Sequence, residues 1–146
     1  MEIIRIAEAG GRIVNPGLLA RAESVHRQLR PQIPEDYAGR MADVFAGGAE
    51  MVAAVTEGEV AGVCVFRVQL NTFSGRFLYI DDLVADSGGR GKGVGKLLME
   101  FAAAEAKQRE CSVLQLSSGC QREQAHRFYF REGFTIRTFG FFRPIA

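Results

Sequence analysis

The chain has 146 residues and 16.0 kDa, with 47% hydrophobic and 24% charged residues, the balance of one folded domain spanning residues 1–146 rather than of a disordered tail. A formal net charge of +1 argues against a polycationic nucleic-acid binder, yet the charge is unevenly spread: residues 1–89 carry 8 basic and 12 acidic groups, residues 90–146 carry 10 and 5. No apolar run approaches the roughly 20 residues that span a bilayer, since Val60–Phe66 is cut at Arg67. The start Met1-Glu2-Ile3-Ile4-Arg5 has neither the basic beginning nor the apolar core of a secretory signal, so a cytoplasmic location is expected. Cys64, Cys111 and Cys120 are odd in number and show no C-x-x-C spacing; they are expected as small core residues rather than as disulfides or zinc ligands.

Ile3, Ile4 and Ile6 predict a first strand. Asn15-Pro16 reads as an N-cap followed by proline in the first helical position, and Leu18, Leu19, Ala22, Val25 and Leu29 recur at helical spacing to about Arg30. Pro31 and Pro34 end that helix; Tyr37, Met41, Val44 and Phe45 form the stripe of a second, stopped at Gly47-Gly48. Met51–Thr56, Val60–Leu70 and Arg76–Ala85 follow as strands of an antiparallel meander, turning at Glu57-Gly58-Glu59 and over residues 71–75. Beyond Asp86-Ser87-Gly88-Gly89 the period changes, with Val94, Leu97, Leu98, Phe101 and Ala102 on one helical face. Val113, Leu114 and Leu116 give another strand; Ala125, Phe128 and Tyr129 mark a short helix ended by Gly133, and Phe134–Arg143 is expected to close the chain as an aromatic strand. An antiparallel meander, one strand-helix-strand crossover and about four helices define an α+β fold around one mixed sheet.

The strand-to-helix turn Arg90-Gly91-Lys92-Gly93-Val94-Gly95-Lys96 is the sharpest chemical signal. Glycines permit close backbone approach, and the unpaired N–H groups at the helix start favour an anion. A Walker A loop is excluded, because Gly95-Lys96 is followed by Leu97 and Arg90 stands where its first glycine belongs. The dinucleotide fingerprint fails too, since Gly91-x-Gly93 is followed three residues later by Lys96. What fits is Arg90-x-x-Gly93-x-Gly95, and here the sequence resembles the GNAT superfamily of N-acetyltransferases, in which this loop cradles the pyrophosphate of acetyl-CoA. Tyr79–Ala85 resembles the family's fourth strand and Ala125–Phe134 its last helix and turn. Within the family, Leu78–Ala85 and Ser117–Phe142 look most like aminoalkylphosphonate and similar small-amine acetyltransferases. Arg122 departs from the asparagine that many members carry there.

Acetyl transfer to an amine requires a neutral amine, a stabilised oxyanion and a proton for the departing thiolate. An alkylammonium, with a pKa of roughly 10.4, must lose its proton. Asp81 or Asp82 is the candidate base; in a regular strand they point to opposite faces and at most one would look into the cleft, a parity that a bulge would upset. The resemblance implies a strand bulge near Leu83-Val84 that would free backbone N–H groups for the thioester carbonyl and pantetheine arm, so Leu83, Val84 and Ala85 join the coenzyme site with Arg90, Gly91, Lys92, Gly93, Val94, Gly95 and Lys96. It also implies Tyr129 as general acid and coenzyme contacts at Ser117, Arg122, His126 and Phe128. His126 is expected at the cofactor or the surface rather than as a base, and His26 as a structural or lid residue. Tyr37 and Tyr79 are expected as packing or substrate-wall residues.

The resulting expectation is an acetyl-CoA-dependent enzyme, with no metal, acting on the primary amine of a small metabolite. The alternatives are an acyl-CoA-binding module with little catalysis and a protein N-terminal or lysine acetyltransferase, for which Tyr37 and the second helix should line an open channel. A two-fold homodimer through Phe139–Phe142 is a further expectation; nucleic acid and membrane are not expected partners.

Overall fold

The computed structural model describes residues 1–89 and 93–146, which fall into two compact units, residues 1–115 and 116–146. The elements run β1 (Glu2–Glu8), β2 (Arg12–Ile13), α1 (Pro16–Leu29), α2 (Tyr37–Ala46), β3 (Glu50–Thr56), β4 (Glu59–Asn71), β5 (Gly75–Ala85), α3 (Val94–Gln108), β6 (Val113–Leu116) and α4 (Glu123–Arg131). The strands form one mixed six-stranded sheet in the order β2-β1-β3-β4-β5-β6, with β1, β3, β4 and β5 paired antiparallel in succession. No helix among the described residues is long and apolar enough to cross a membrane.

Local chemistry explains the helix starts. Asn15 caps α1 through its side-chain oxygen, which accepts from Leu18 N–H at 3.0 Å, with Pro16 in the first turn. Asp36 does the same for α2 by accepting from Gly39 N–H at 2.9 Å. On one face of the sheet Leu18, Leu19, Ala22 and Val25 of α1 and Met41 and Phe45 of α2 are buried with Met51, Ala53, Val55, Val63 and Val65. The opposite face takes α3, where Val94, Leu98 and Ala102 are buried and Phe101 meets Phe66 edge-on. Burial from both sides explains why β3 reads Met-Val-Ala-Ala-Val without a polar interruption.

One register shift governs everything that follows. Val65 stands opposite Asp82 but Phe66 stands opposite Ile80, so Asp81 is an extra residue in β5. Such a bulge resets the alternation of side chains. Leu78 and Ile80 therefore stay on one face, whereas Tyr79, Asp81 and Asp82 belong to the α1 and α2 side. The expectation that neighbouring aspartates face opposite ways is overturned. The irregularity also lies three residues before Val84 rather than beside it, since Leu83, Val84 and Ala85 keep regular partners in Cys64, Val63 and Gly62.

Two further expectations need correction, and one strand was not foreseen. The two-residue β2 was too short to leave a periodic signal. Only Cys64 is buried; Cys111 is intermediate and Cys120 exposed, because both of the latter lie in connections rather than in elements. The closing strand is not formed: residues 134–146 carry neither helix nor strand, and Ile136, Phe139, Phe141, Phe142 and Ile145 are 70–96% exposed. β-propensity records a fit to a half-buried pleated surface, and an aromatic run becomes a strand only where another strand pairs with it.

Candidate active site

Asp81 and Asp82 share a face yet live in different chemical settings. His26 and Arg30, four residues apart on α1 and at its end, both reach Asp82. His26 Nε2 lies 2.7 Å from one carboxylate oxygen, and Arg30 Nε donates to the other at 2.7 Å. His26 is 1% exposed, and its Nδ1 meets the Tyr37 hydroxyl at 2.9 Å. A carboxylate only accepts, which assigns the Nε2 proton to the Asp82 bond. Burial pushes the Asp82 carboxyl up, but the hydrogen bonds and charges of His26 and Arg30 outweigh it and hold the group below the usual aspartate range. Burial also pushes the Tyr37 hydroxyl well above its ordinary value.

Among the described residues the Asp81 carboxylate is hydrogen-bonded by Arg67, while Arg30 Nη2 donates to the Asp81 backbone carbonyl at 3.1 Å. Arg67 Nε donates to its Oδ2 at 2.8 Å and Nη2 lies 2.7 Å from the same oxygen. Burial dominates here, so the Asp81 carboxyl sits above the ordinary value despite Arg67, with the Asp82 charge adding to the rise. Asp81 lines a cavity of about 440 Å³ with Arg67, Gln69 and Asn71 of β4, Phe77 and Tyr79 of β5, and Gln115 of β6. That volume lies at the smaller end of ligand pockets. Its wall follows from strand geometry: positions 67, 69 and 71 alternate onto one face of β4, and 77 and 79 onto the same face of β5.

Of these lining residues, Tyr79 was foreseen as a possible substrate wall; Arg67, Gln69, Asn71 and Gln115 were missed. A signal was present, since β4 turns from unbroken apolar residues to alternating polar ones at Arg67. Tyr37, the first residue of α2, is not in this wall: it is 3% exposed and packs edge-on against His26 of α1, so its side chain does not line an open channel.

At the far end of β5 the backbone is positioned differently. Ser112 N–H donates to the Arg76 carbonyl at 2.8 Å, level with the start of β5. The four residues of β6 can therefore accompany only the first half of that eleven-residue strand, and the edge from Asp81 to Ala85 runs past it. Beside this edge α3 begins. A Cβ on Gly62 of β4 would lie 2.5 Å from Val94 Cγ1 and 2.9 Å from the Val84 carbonyl oxygen. Gly62 thus lets the first turn of α3 press on the sheet next to Val84, another contribution that sequence reasoning missed.

The α3 terminus is chemically suited to an anion. Gly93 is its N-cap at φ 90°, with no side-chain cap and no acidic residue in the first turn. Among the described residues nothing lies within 4 Å of a Cβ built there. Val94 is buried, Gly95 partly so, and Lys96 exposed. The N–H groups of this first turn, which no described side chain caps, are the kind of donors that a polyphosphate accepts from. The expected contributions of Arg90, Gly91 and Lys92 lie outside the described residues.

In the second unit, α4 holds Tyr129 firmly. Gly133 at φ 89° ends the helix; its N–H donates to the Phe130 carbonyl at 3.1 Å, and Phe134 N–H to the Tyr129 carbonyl at 3.0 Å. This is the Schellman pattern, in which the residue after the glycine packs on the last turn. Here Phe134 meets the Tyr129 ring at 5.8 Å while Phe128 meets it at 5.5 Å, leaving Tyr129 9% exposed. His126 Nε2 lies 2.8 Å from the Gly119 carbonyl oxygen, so this ring ties down the loop before α4. Arg122 is the N-cap without a side-chain cap bond, Ser117 is exposed, and Phe128 is partly buried.

A mixed sheet flanked by three helices thus carries a glycine-led helix terminus suited to an anion and, on β5, a desolvated carboxylate in a polar pocket. The model of the acetyltransferase (GNAT) family matches residues 20–134, and the chain belongs to that family. It is an acetyl-transferring enzyme, and membership implies an acyl-CoA donor. The chain is 32% identical over 129 residues to the uncharacterized N-acetyltransferase YhdJ of Bacillus subtilis (strain 168), covering 86% of this chain and 91% of that protein. It is also 32% identical over 93 residues to the aminoalkylphosphonate N-acetyltransferase of Salmonella typhimurium (strain LT2), covering 63% of this chain and 60% of the relative. In fold it is similar to the aminoglycoside acetyltransferase AAC(6')-Iy, solved in complex with a CoA bisubstrate analogue, with a TM-score of 0.81 at 14% identity over 99% of this chain and 98% of that one.

Proposed function

We propose that this protein transfers an acetyl group from acetyl-CoA to the primary amine of a small metabolite, with Asp81 as the group that receives the ammonium and takes its proton. The observation that carries this reading is the contrast at the bulge: Asp81 is desolvated, raised in pKa and in the pocket wall, whereas Asp82 is committed on both oxygens. A carboxyl above its ordinary value is a better proton acceptor at working pH than one held below it. The similarity to a relative named for an aminoalkylphosphonate substrate supports a small amine.

The coenzyme brings an activated thioester. Its phosphates would be held by Gly93, Val94, Gly95 and Lys96, with Arg90, Gly91 and Lys92 as proposed neighbours. The backbone of Leu83, Val84 and Ala85 would orient the carbonyl and the pantetheine arm. Tyr129 is the proposed general acid toward the departing thiolate, supported by the clamping of its ring between Phe128 and Phe134. Ser117, Arg122, His126 and Phe128 are proposed as outer coenzyme contacts. The reading treats residues 1–146 as one acetyltransferase domain, located in the cytoplasm. It includes a homodimer through Phe139–Phe142, supported by their 84%, 95% and 96% exposure at Phe139, Phe141 and Phe142.

The test is release of free thiol from acetyl-CoA by the purified protein across a panel of primary amines. Amine-dependent release is expected. Binding of the coenzyme with no release for any amine would overturn the reading in favour of a coenzyme-binding module.

A further inference from the structure

Resting on the reading that the amine enters this pocket, we infer that its substrate is a zwitterion: a primary amine joined by a short carbon tether to a carboxylate or phosphonate, with Arg67 as the residue that selects it. The pocket wall holds one carboxylate and one guanidinium, and its other members are uncharged. These two charges are in contact, yet each keeps an edge that the other does not occupy. Arg67 directs Nε and Nη2 to a single oxygen of Asp81, and Asp81 Oδ1 has no hydrogen bond among the described residues. A guanidinium carries five N–H donors in a planar fork. Nη1 donates to the Gly47 carbonyl oxygen at 3.5 Å, the outer limit of hydrogen-bond distance, so an acceptor of better geometry can displace that contact or use the second Nη1 proton.

A wall presenting minus beside plus is complementary to a ligand presenting plus beside minus. The ammonium meets Asp81 Oδ1 while the anionic group takes the outer edge of Arg67, a geometry that guanidinium forks favour for carboxylates and for phosphorus oxyanions alike. A diamine would set its second cation against Arg67 and meet repulsion. A plain alkylamine would satisfy Asp81 and leave the fork to water. Contact between Arg67 and Asp81 keeps the two recognition points close together, which is why the tether must be short. The neutral amides of Gln69, Asn71 and Gln115 can adapt to either anion, since each amide both donates and accepts.

The experiment compares kcat/KM for acetyl transfer to propylamine, 1,4-diaminobutane, β-alanine and 2-aminoethylphosphonate, using the wild-type enzyme, R67Q and R67K. The wild type should favour at least one zwitterion over propylamine by about tenfold or more, the scale of one charge-assisted hydrogen bond, and the preferred anion identifies the source of the charge. R67Q should bring that ratio to within about threefold through a rise in KM for the zwitterion, and R67K should retain part of it because the charge survives. If R67Q lowers all substrates by the same factor, Arg67 merely holds Asp81 and the inference is overturned. A wild-type preference for the diamine or for propylamine overturns the inference while leaving amine acetylation intact. No turnover with any amine overturns both. The wild-type ranking decides the matter even if neither variant folds.

Discussion

Asp81 and Asp82 are adjacent, chemically identical and on the same face of the sheet, yet one lines a pocket and the other anchors a helix. The difference is made by their neighbours. Asp82 is enclosed by His26 and Arg30 and sits below the usual aspartate range; Asp81 has one guanidinium on one oxygen and sits above it. A single inserted residue in β5 creates this pairing by turning both side chains toward α1 and α2. The lesson is that desolvation acts on both groups, and the number of donors supplied by surrounding elements decides which carboxylate is raised and which is held down.

Replacing each carboxylate should break the contrast most visibly. D81N should lower kcat/KM for acetyl transfer by about 10²–10³-fold while the thermal unfolding midpoint stays near or above that of the wild type, because removing a desolvated charge relieves a cost. Steady-state thiol release and a melting curve on the same sample check both halves. Y129F should lower kcat by about 10–100-fold with coenzyme affinity retained, as measured by calorimetric titration, which would place a second proton-transfer group outside the aspartate pair.

D82N should act on stability instead, costing about 1–3 kcal/mol at neutral pH by leaving His26 and Arg30 without their acceptor. The sign of its pH dependence follows from the depressed pKa. The stabilisation is present above the unfolded aspartate value of about 3.9 and is lost as pH falls through the lower folded value, so the wild-type and D82N denaturation curves should converge in acid. A constant gap between them at all pH values would remove the ionic account of this anchor.

Smaller effects sharpen the same distinction between working groups and supporting ones. G62A should cost about 1–3 kcal/mol and weaken coenzyme binding, because its Cβ meets the Val84 carbonyl and Val94 and must push α3 away from the strand edge. Isothermal titration with CoA reads the second effect. G133A should cost about 1 kcal/mol by forcing a side chain into the left-handed region, with a modest loss of kcat as Tyr129 loosens; chemical denaturation checks the first and thiol release the second.

Much of this architecture could be read along the chain, because caps, turn glycines and apolar periods are local. Asn15-Pro16, the Glu57-Gly58-Glu59 turn, the stripe of α3 and the stop at Gly133 each announce themselves within a few residues. The aspartate contrast could not be read that way. It depends on a register slip between the Val65–Asp82 and Phe66–Ile80 pairs and on His26 and Arg30, more than fifty residues before Asp82. Likewise the Arg67–Asp81 pair is a cross-strand contact, for which the only local trace is the polar alternation beginning at Arg67. The aromatic C-terminal run misled in the opposite sense, since its strand-like composition does not by itself supply a pairing partner.

The most direct test of the central claim is the pH dependence of kcat/KM in the wild type, D81N and D82N with one amine substrate. The acid limb in the wild type and in D82N should report a group titrating above the ordinary aspartate value of about 3.9, and that limb should vanish from the residual activity of D81N. An acid limb that persists in D81N and disappears in D82N would contradict the assignment of Asp81 as the proton acceptor.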